Sequence, residues 1–434
     1  MSVAPTTDRR LRLLLARAQR EGRLPSVVGG LLRDGEVVWR AALGAHAGPG
    51  AADPLLAQYR IGSITKTFTA VLVHQLVRDD LLSLDAPVGS VLKDAPYADR
   101  TVRSLLAHSS GMQSEPVGDW WERSAGRTWE ELVAANDDGG AVFTPWERFH
   151  YSNLGYALLG RVVEQVTGLS WWEAVAGRLL EPLGMGRTTY LPAPPAATGY
   201  SVHPYAHTLV EEPATDTLGM APAGQPWSTL DDLLRYAGFL LAGHPDVLSL
   251  DRLLAATHPQ SGDRADALAA AHGLGFMLAA GGSGMLVGHS GSVPGFLAGC
   301  FVDHDRRTGA VVLSNATTGA GMQELAGGLL DTLEECEPTL PAAWSPEQVP
   351  AEYADLLGVW YWGNTPLAFS CEEGSLVVRE DGVREYAFSI REGRIVGTAG
   401  YHSGEQLRVF RTAEGAVGRL EVATFVLTRA PYAL

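Results

Sequence analysis

Ile61-Gly-Ser-Ile-Thr-Lys-Thr-Phe68 is the stretch from which the rest of the chain is read. It holds Ser63 and, three residues on, Lys66, one of only two lysines among 434 residues, the other being Lys93. Arginine cannot release its proton within a protein, whereas a lysine in a dry site or near other positive charge becomes neutral and acts as a base. Phe68, Val71, Leu72, Leu76 and Leu81 or Leu82 recur at helical spacing, which predicts a helix beginning close to Ser63. Residues three apart share a face, so hydroxyl and amine lie side by side at the first turn, where free N–H groups and the helix dipole favour developing negative charge. Ser63 is therefore a candidate nucleophile. An isolated pair of this kind more often means a helix cap beside a solvated lysine; the scarcity of lysine and the motifs that follow in order weigh against that.

Working outward, Val27 to Leu32 and Glu36 to Ala42 read as short strands joined across Asp34-Gly35, a dipeptide suited to a tight hairpin. Helical patterns and loops dominate from about Ile64 to Leu268, with an all-helical insertion placed roughly at residues 80–220. Strands return at Met285 to His289, Phe296 to Val302 and Ala310 to Ser314, and a helix follows over Gly321 to Glu335. Strands at both ends with helices between them predict an α+β body, residues 1–337, whose antiparallel sheet is completed by sequence-distant pieces and flanked by helices. Pro338, Pro341, Pro346 and Pro350 mark a linker over 338–350. Residues 351–434 break into short apolar runs, Leu376 to Arg379, Tyr386 to Ile390, Arg394 to Gly397, Gln406 to Arg411 and Glu421 to Thr428, separated by turn residues, which predicts a small all-β barrel or sandwich.

With 46% hydrophobic and 19% charged residues the chain is long enough to bury a large core, and its net charge of −16 argues against nucleic acid or an anionic membrane as the main partner. Arg9, Arg10, Arg12, Arg17, Arg20 and Arg23 form one basic cluster, read as the polar face of an N-terminal helix. No stretch is long and apolar enough to span a bilayer and no signal-peptide pattern opens the chain, so a cytoplasmic location is expected. Cys300, Cys336 and Cys371 are too few and too scattered for a disulfide framework or a metal site, and His203 and His207 lack a third ligand. Neither metal nor cofactor is expected.

Two further motifs carry chemistry. In Tyr151-Ser-Asn153 a locally extended backbone points a phenol and an amide the same way, and a phenol near a cationic lysine loses its proton more easily and relays one. In His289-Ser-Gly291, at the end of an apolar strand, glycine lets a substrate backbone approach, and the N–H of Ser292 joins that of Ser63 as a candidate oxyanion hole. Taken singly, each more often marks a core tyrosine or a plain hairpin turn.

Serine-x-x-lysine, tyrosine-x-asparagine and histidine-x-glycine in this order, with Leu105-Leu-Ala-His-Ser-Ser-Gly-Met112, Tyr151-Ser-Asn-Leu-Gly-Tyr-Ala-Leu-Leu-Gly160 and Glu181-Pro-Leu-Gly-Met185, resemble the penicillin-recognising serine hydrolases over roughly residues 7–336. Those include class C β-lactamases, D-alanyl-D-alanine peptidases and related esterases. The resemblance implies a β-lactamase/transpeptidase-like fold, with Ser63 acylated, Lys66 and Tyr151 moving its proton, and Asn153 holding the lysine and a substrate amide. His289 then replaces the lysine that β-lactamases and the peptidases place on this strand, exchanging a fixed cation for a group mostly neutral near pH 7.

With the appended barrel, the chain most resembles the stand-alone penicillin-binding-protein-type thioesterases, whose extra domain is lipocalin-like. That implies release and macrocyclisation of a nonribosomal peptide, with a D-configured C-terminal residue, from its carrier-protein thioester; the carrier protein is the expected transient partner. Cyclisation needs a sheltered site that positions the amine. Trp227 is a candidate to shape the acyl pocket, Gly291 to let the substrate approach and Arg429 to contact the peptide, although a core tryptophan is equally ordinary and an exposed strand arginine is usually only solvated. The alternative is a cytosolic esterase or D-amino-acid peptidase using the same residues; a catalytically silent binding protein fits poorly with an intact serine, lysine and tyrosine.

Overall fold

The computed structural model describes residues 2–44, 53–262, 270–282, 284–341 and 343–432. The end of the helical region read up to Leu268, and one residue of the linker, Ala342, fall outside them. The chain divides into two compact units, Met1–Thr339 and Leu340–Leu434.

The first unit is built on an eight-stranded antiparallel sheet. Its strands are β1 (Val27–Arg33), β2 (Glu36–Leu43), β3 (Ser261–Gly262), β4 (Ala270–His272), β5 (Met277–Ala280), β6 (Met285–Val293), β7 (Phe296–Asp303) and β8 (Thr308–Ser314), in the spatial order β2-β1-β8-β7-β6-β5-β4-β3. The N-terminal hairpin thus pairs with the C-terminal strand, Val28 opposite Leu313 and Leu31 opposite Ala310. Every residue of β8 is buried, because the sheet is covered on both faces. On one face lie α1 (Pro5–Glu21), started by a proline in its first turn and presenting Leu11 and Leu15, and the C-terminal helix Met322–Cys336, presenting Leu329, Leu330 and Leu333. Burying each such leucine is worth about 1.5–3 kcal/mol.

The other face carries the larger core, where α2 (Thr65–Arg78) and the helix Leu230–Ala242 meet the sheet and the inserted helices. α2 is shorter than its apolar spacing predicts: it ends at Asp79, and Leu81 is exposed while Leu82 is buried beyond it. Between residues 80 and 220 the longest helix is Asn153–Thr167, called α3 here, capped by the Ser152 hydroxyl accepting from Gly155 N–H and closed by Gly168. Among the described residues no helix is long and apolar enough to cross a membrane.

The second unit is a closed barrel of eight strands in sequential order, Gly358–Trp362, Thr365–Glu372, Ser375–Glu380, Val383–Arg391, Arg394–Ala399, Gln406–Arg411, Val417–Val422 and Phe425–Thr428. The run read as one strand from Glu421 to Thr428 is a hairpin, turned at Ala423, whose φ is +49°. The interior is filled by side chains: Trp360, Tyr353, Leu356, Phe369 and Phe388 form its core, and Trp360 Nε1 donates to the Leu356 carbonyl at 2.7 Å. Arg429 belongs to this packing. Its guanidinium lies 3.9 Å from the centre of the Trp360 ring and donates to the carbonyls of Asp355, Leu357 and Val359. Arg429 is itself exposed, and its donors are engaged by the barrel's own carbonyls, which favours a packing role over its reading as a peptide contact. Arg429→Met is expected to lower the barrel's midpoint in urea, by about 1–2 kcal/mol for the lost carbonyl bonds, while leaving acylation of the enzyme by a small ester unchanged; comparing urea titrations and ester kinetics of the two proteins checks both.

Candidate active site

Ser63 sits in a single 3-10 turn, Gly62–Ile64, immediately before α2, so that Lys66 occupies the first turn of the helix. Lys66 is fully buried, and its Nζ donates to Ser63 Oγ at 2.9 Å and to the Ala223 carbonyl at 2.8 Å. Desolvation lowers its pKa from 10.5 to about 7, against the charges of Glu115 and Glu122, which act to raise it. A lysine poised there supplies an unprotonated amine at neutral pH.

Tyr151 is also hydrogen-bonded to Ser63, and Lys66 Nζ lies 5.0 Å from its ring centre. Burial pushes its pKa up, outweighing the bond from Ser63, and Glu115 and Glu122 push the same way. This corrects the expectation that the nearby lysine makes the phenol more acidic: desolvation dominates, and Tyr151 stays protonated. Asn153 is the first residue of α3 and not part of an extended segment. Its amide donates to Glu115 Oε1 at 2.7 Å, while Glu115 Oε2 accepts from Trp121 Nε1 at 2.7 Å. Lys66 is held by Ser63 and Ala223; Asn153 orients Glu115, whose charge acts on the lysine.

Two glycines let the backbones of the turn and of β6 close on each other. Gly62 has φ +52°, and a Cβ there would stand 2.9 Å from Ser292 N; a Cβ on Gly291 would stand 2.0 Å from the Ile61 carbonyl oxygen and 3.3 Å from Ser63 N. The backbones that carry the Ser63 and Ser292 amides therefore run close together, as an oxyanion hole built from them would need.

His289 is buried on β6, and its Nδ1 bonds the Ser290 carbonyl, so the proton is on Nδ1 and Nε2 is an acceptor. Burial, with Lys66 and His272 nearby, holds its pKa well below the usual histidine range, and it is neutral. Beside Ser63 lies a cavity of about 370 Å³ walled by Phe149, Tyr151, His272, Met277 and His289. Trp227 is not in that wall. It is buried in a two-residue strand paired with Tyr59–Arg60, its ring edge-on to Phe296 with centroids 4.9 Å apart, so it is a core tryptophan that props the segment leading into Ser63.

Three groups at the site escape the motif reading. His108 stacks on Tyr151, centroids 4.1 Å apart, and its Nδ1 accepts from Ser152 N–H at 3.0 Å. It lies within the Leu105–Met112 landmark, where its role was unread. Glu115 stands in a loop without pattern, and His272 lies on β4, a strand of three residues too short and alanine-rich to show alternation.

A serine hydrogen-bonded to a fully buried lysine and to a phenol, beside a cavity, is the arrangement of a serine hydrolase. Comparison with known proteins agrees: residues 11–333 match the Beta-lactamase family model, and the chain belongs to that family. Residues 349–429 match a domain of unknown function, DUF7586. The chain is 35% identical to penicillin-binding protein 4 of Amycolatopsis lactamdurans over 181 residues, 40% of this chain and 46% of that protein. It spans about half the length of the first curated relatives it matches, 46% and 48%. Among solved structures, SurE is similar over 98% of this chain and 99% of its own at 26% identity and a TM-score of 0.63, and a SurE structure with D-Leu at 25% and 0.61. The D-stereospecific amidohydrolase of a Streptomyces species is similar over 74% of this chain and 96% of its own, at 28% identity and a TM-score of 0.60.

Proposed function

We propose that the chain is an acyl-transfer enzyme that takes a peptidyl group with a D-configured C-terminal residue from a carrier-protein thioester onto Ser63, and closes it into a ring. Neutral Lys66 accepts the Ser63 proton as Oγ attacks the thioester carbonyl, and the amides of Ser63 and Ser292 hold the oxyanion. Collapse expels the thiol, protonated through Lys66 and the Tyr151 hydroxyl, and leaves an ester on Ser63. The peptide's own amine then attacks that ester, its proton returns through the same pair to Ser63, and the ring leaves.

The observation that carries this reading is the replacement of a fixed cation by neutral His289 on β6 in a chain that joins a β-lactamase-type unit to a closed barrel. Among the described residues lining the cavity none is a cation that could hold a free terminal carboxylate, which disfavours cell-wall carboxypeptidase or penicillinase chemistry. Similarity to SurE extends through both units, and D-Leu in one SurE structure and the D-stereospecific amidohydrolase both favour a D-acyl group. The three free thiols fit a reducing, cytoplasmic setting.

A linear peptidyl thioester with a D-residue at its C-terminus, incubated with the enzyme and resolved by chromatography, is expected to yield the ring. Linear acid alone from a range of such substrates would instead support the second reading, hydrolysis of D-acyl amides or esters, which the likeness to the amidohydrolase favours.

A further inference from the structure

Lys66 is gripped between two segments far apart in the sequence, the turn that carries Ser63 and the short helix Ala221–Gly224 that carries the Ala223 carbonyl. A neutral amine has two N–H groups and one lone pair. With one N–H held by Ala223, the lone pair is free to face the Ser63 hydroxyl, whose proton it must accept. The placement of Ala223 therefore sets the aim of the base.

Two fully buried side chains, Gln225 and Arg60, fix that placement. Gln225 ends the short helix and turns its amide back to Thr217: Oε1 accepts from the Thr217 N–H at 3.0 Å and from the Thr217 hydroxyl at 2.8 Å. The stretch between them, Ala223 included, is thus closed at its base. Gln225 Nε2 donates to the Tyr190 carbonyl at 3.1 Å, which fixes the amide at its other end. Arg60, three residues before Ser63 and paired with Trp227, donates through Nη2 to the same Gln225 Oε1 at 3.1 Å and to the Thr215 carbonyl at 3.3 Å. It ties the closed stretch to the segment that leads into the nucleophile. The two turns also touch, since a Cβ on Gly224 would stand 3.6 Å from the carbonyl carbon of Gly62.

Arg60 forms no ion pair among the described residues, and its Nε and Nη1 have no hydrogen-bond partner there. Burying a charge so sparsely paired is costly, and an apolar side chain of similar volume generally avoids that cost. Stability alone does not account for an arginine here.

We propose that Arg60, Gln225 and Thr217 form a brace that holds the Ala223 carbonyl at the Lys66 amine, and that they are positioning residues for acylation of Ser63, acting through Lys66. The proposal rests on the acyl-enzyme reading given above. Loss of the brace frees Ala223. A carbonyl bonds an ammonium more strongly than a neutral amine, so a looser Ala223 lowers the lysine's pKa further from its value of about 7, while the amine loses its aim. Acylation then slows, and the acid limb of its pH profile moves down.

The test is the rate of Ser63 acylation by p-nitrophenyl acetate across about pH 5–9, on the full-length chain, in the parent, Gln225→Met, Thr217→Val and Thr217→Ser. Gln225→Met is expected to lower the plateau rate by about 10–10²-fold and to move the acid limb down by about one pH unit. Thr217→Val keeps the size but loses one of the bonds to Gln225 Oε1, and falls between that variant and the parent; Thr217→Ser keeps the hydroxyl and restores most of the loss. None of the three changes a charge. The groups that act on or face Lys66 stay in place, namely Glu115, Glu122, Tyr151, Tyr156 and the neutral His108, His272 and His289, so the limb reports the lysine's own acceptor. Slower acylation with the limb unmoved in Gln225→Met overturns the brace and leaves Gln225 a structural residue; if that variant does not fold, an unmoved limb in Thr217→Val has the same force. Failure of the parent to acylate at Ser63 overturns the acyl-enzyme reading instead, so the two failures are distinct.

Discussion

Lys66→Met is expected to give a protein that is more stable at pH 6 than the parent and almost inactive. Below pH 7 the parent carries a charged amine in a fully buried position, and the fall of its pKa from 10.5 to about 7 corresponds to a cost of about 5 kcal/mol at 1.36 kcal/mol per decade. Methionine removes that cost but leaves the Ala223 carbonyl without its donor, about 1–3 kcal/mol, so the net gain is roughly 2–4 kcal/mol. Because the folded pKa lies below the unfolded one, the unfolded state binds more protons between pH 7 and 10.5, and parent stability rises with pH through that window. The advantage of the variant therefore shrinks toward pH 9. Urea titrations at pH 6 and 9 read this directly; a variant weaker than the parent at pH 6, or gaining on it as pH rises, contradicts a buried charge. Activity responds in the opposite sense, since loss of a general base costs about 10²–10⁴ in rate, and parent kcat/KM is expected to rise with pH through about 7 as Lys66 loses its proton.

Gly291→Ala is expected to lower kcat/KM by about 10²–10³ while the protein stays folded. The new methyl would stand 2.0 Å from the Ile61 carbonyl oxygen, so β6 and the Ser63 turn must separate. Both amides of the oxyanion hole lie on the backbones being pushed apart, and loss of one such donor costs about 10²–10³. Overpacking adds a stability loss of about 1–3 kcal/mol, read separately by thermal melting. The effect falls on kcat more than on KM, because the amides act on charge that appears only in the transition state. Parent-like kcat in a folded Gly291→Ala protein would show that Ser292 N–H does not serve the reaction.

Much of the site is legible in the sequence because its chemistry is written at short spacing. Ser63 and Lys66 share the start of one helix, Tyr151 and Asn153 flank a helix cap, and His289 and Gly291 end one apolar strand; the folded chain draws these three segments to one cleft. The α+β body is legible for the same reason, since β1, β2, β6, β7 and β8 are long enough to show alternation or a continuous apolar run. What escapes is set by the surroundings. No spacing tells that Tyr151 is dry enough for burial to overcome its lysine, nor that the Asn153 amide faces Glu115. Trp227 and Arg429 look alike in sequence whether they meet substrate or fill a core, and only packing shows that one props β7 at Phe296 and the other covers Trp360. His272 sits on a strand of three residues and leaves no periodic trace.

The central claim is that Ser63 carries the acyl group, and intact-protein mass spectrometry after brief incubation with an acylating p-nitrophenyl ester tests it most directly. A single acyl adduct mapped to the peptide containing Ser63, lost in Ser63→Ala and slowed at least 10²-fold in Lys66→Met, is the predicted result. An adduct that persists in Ser63→Ala at the parent's rate would contradict it.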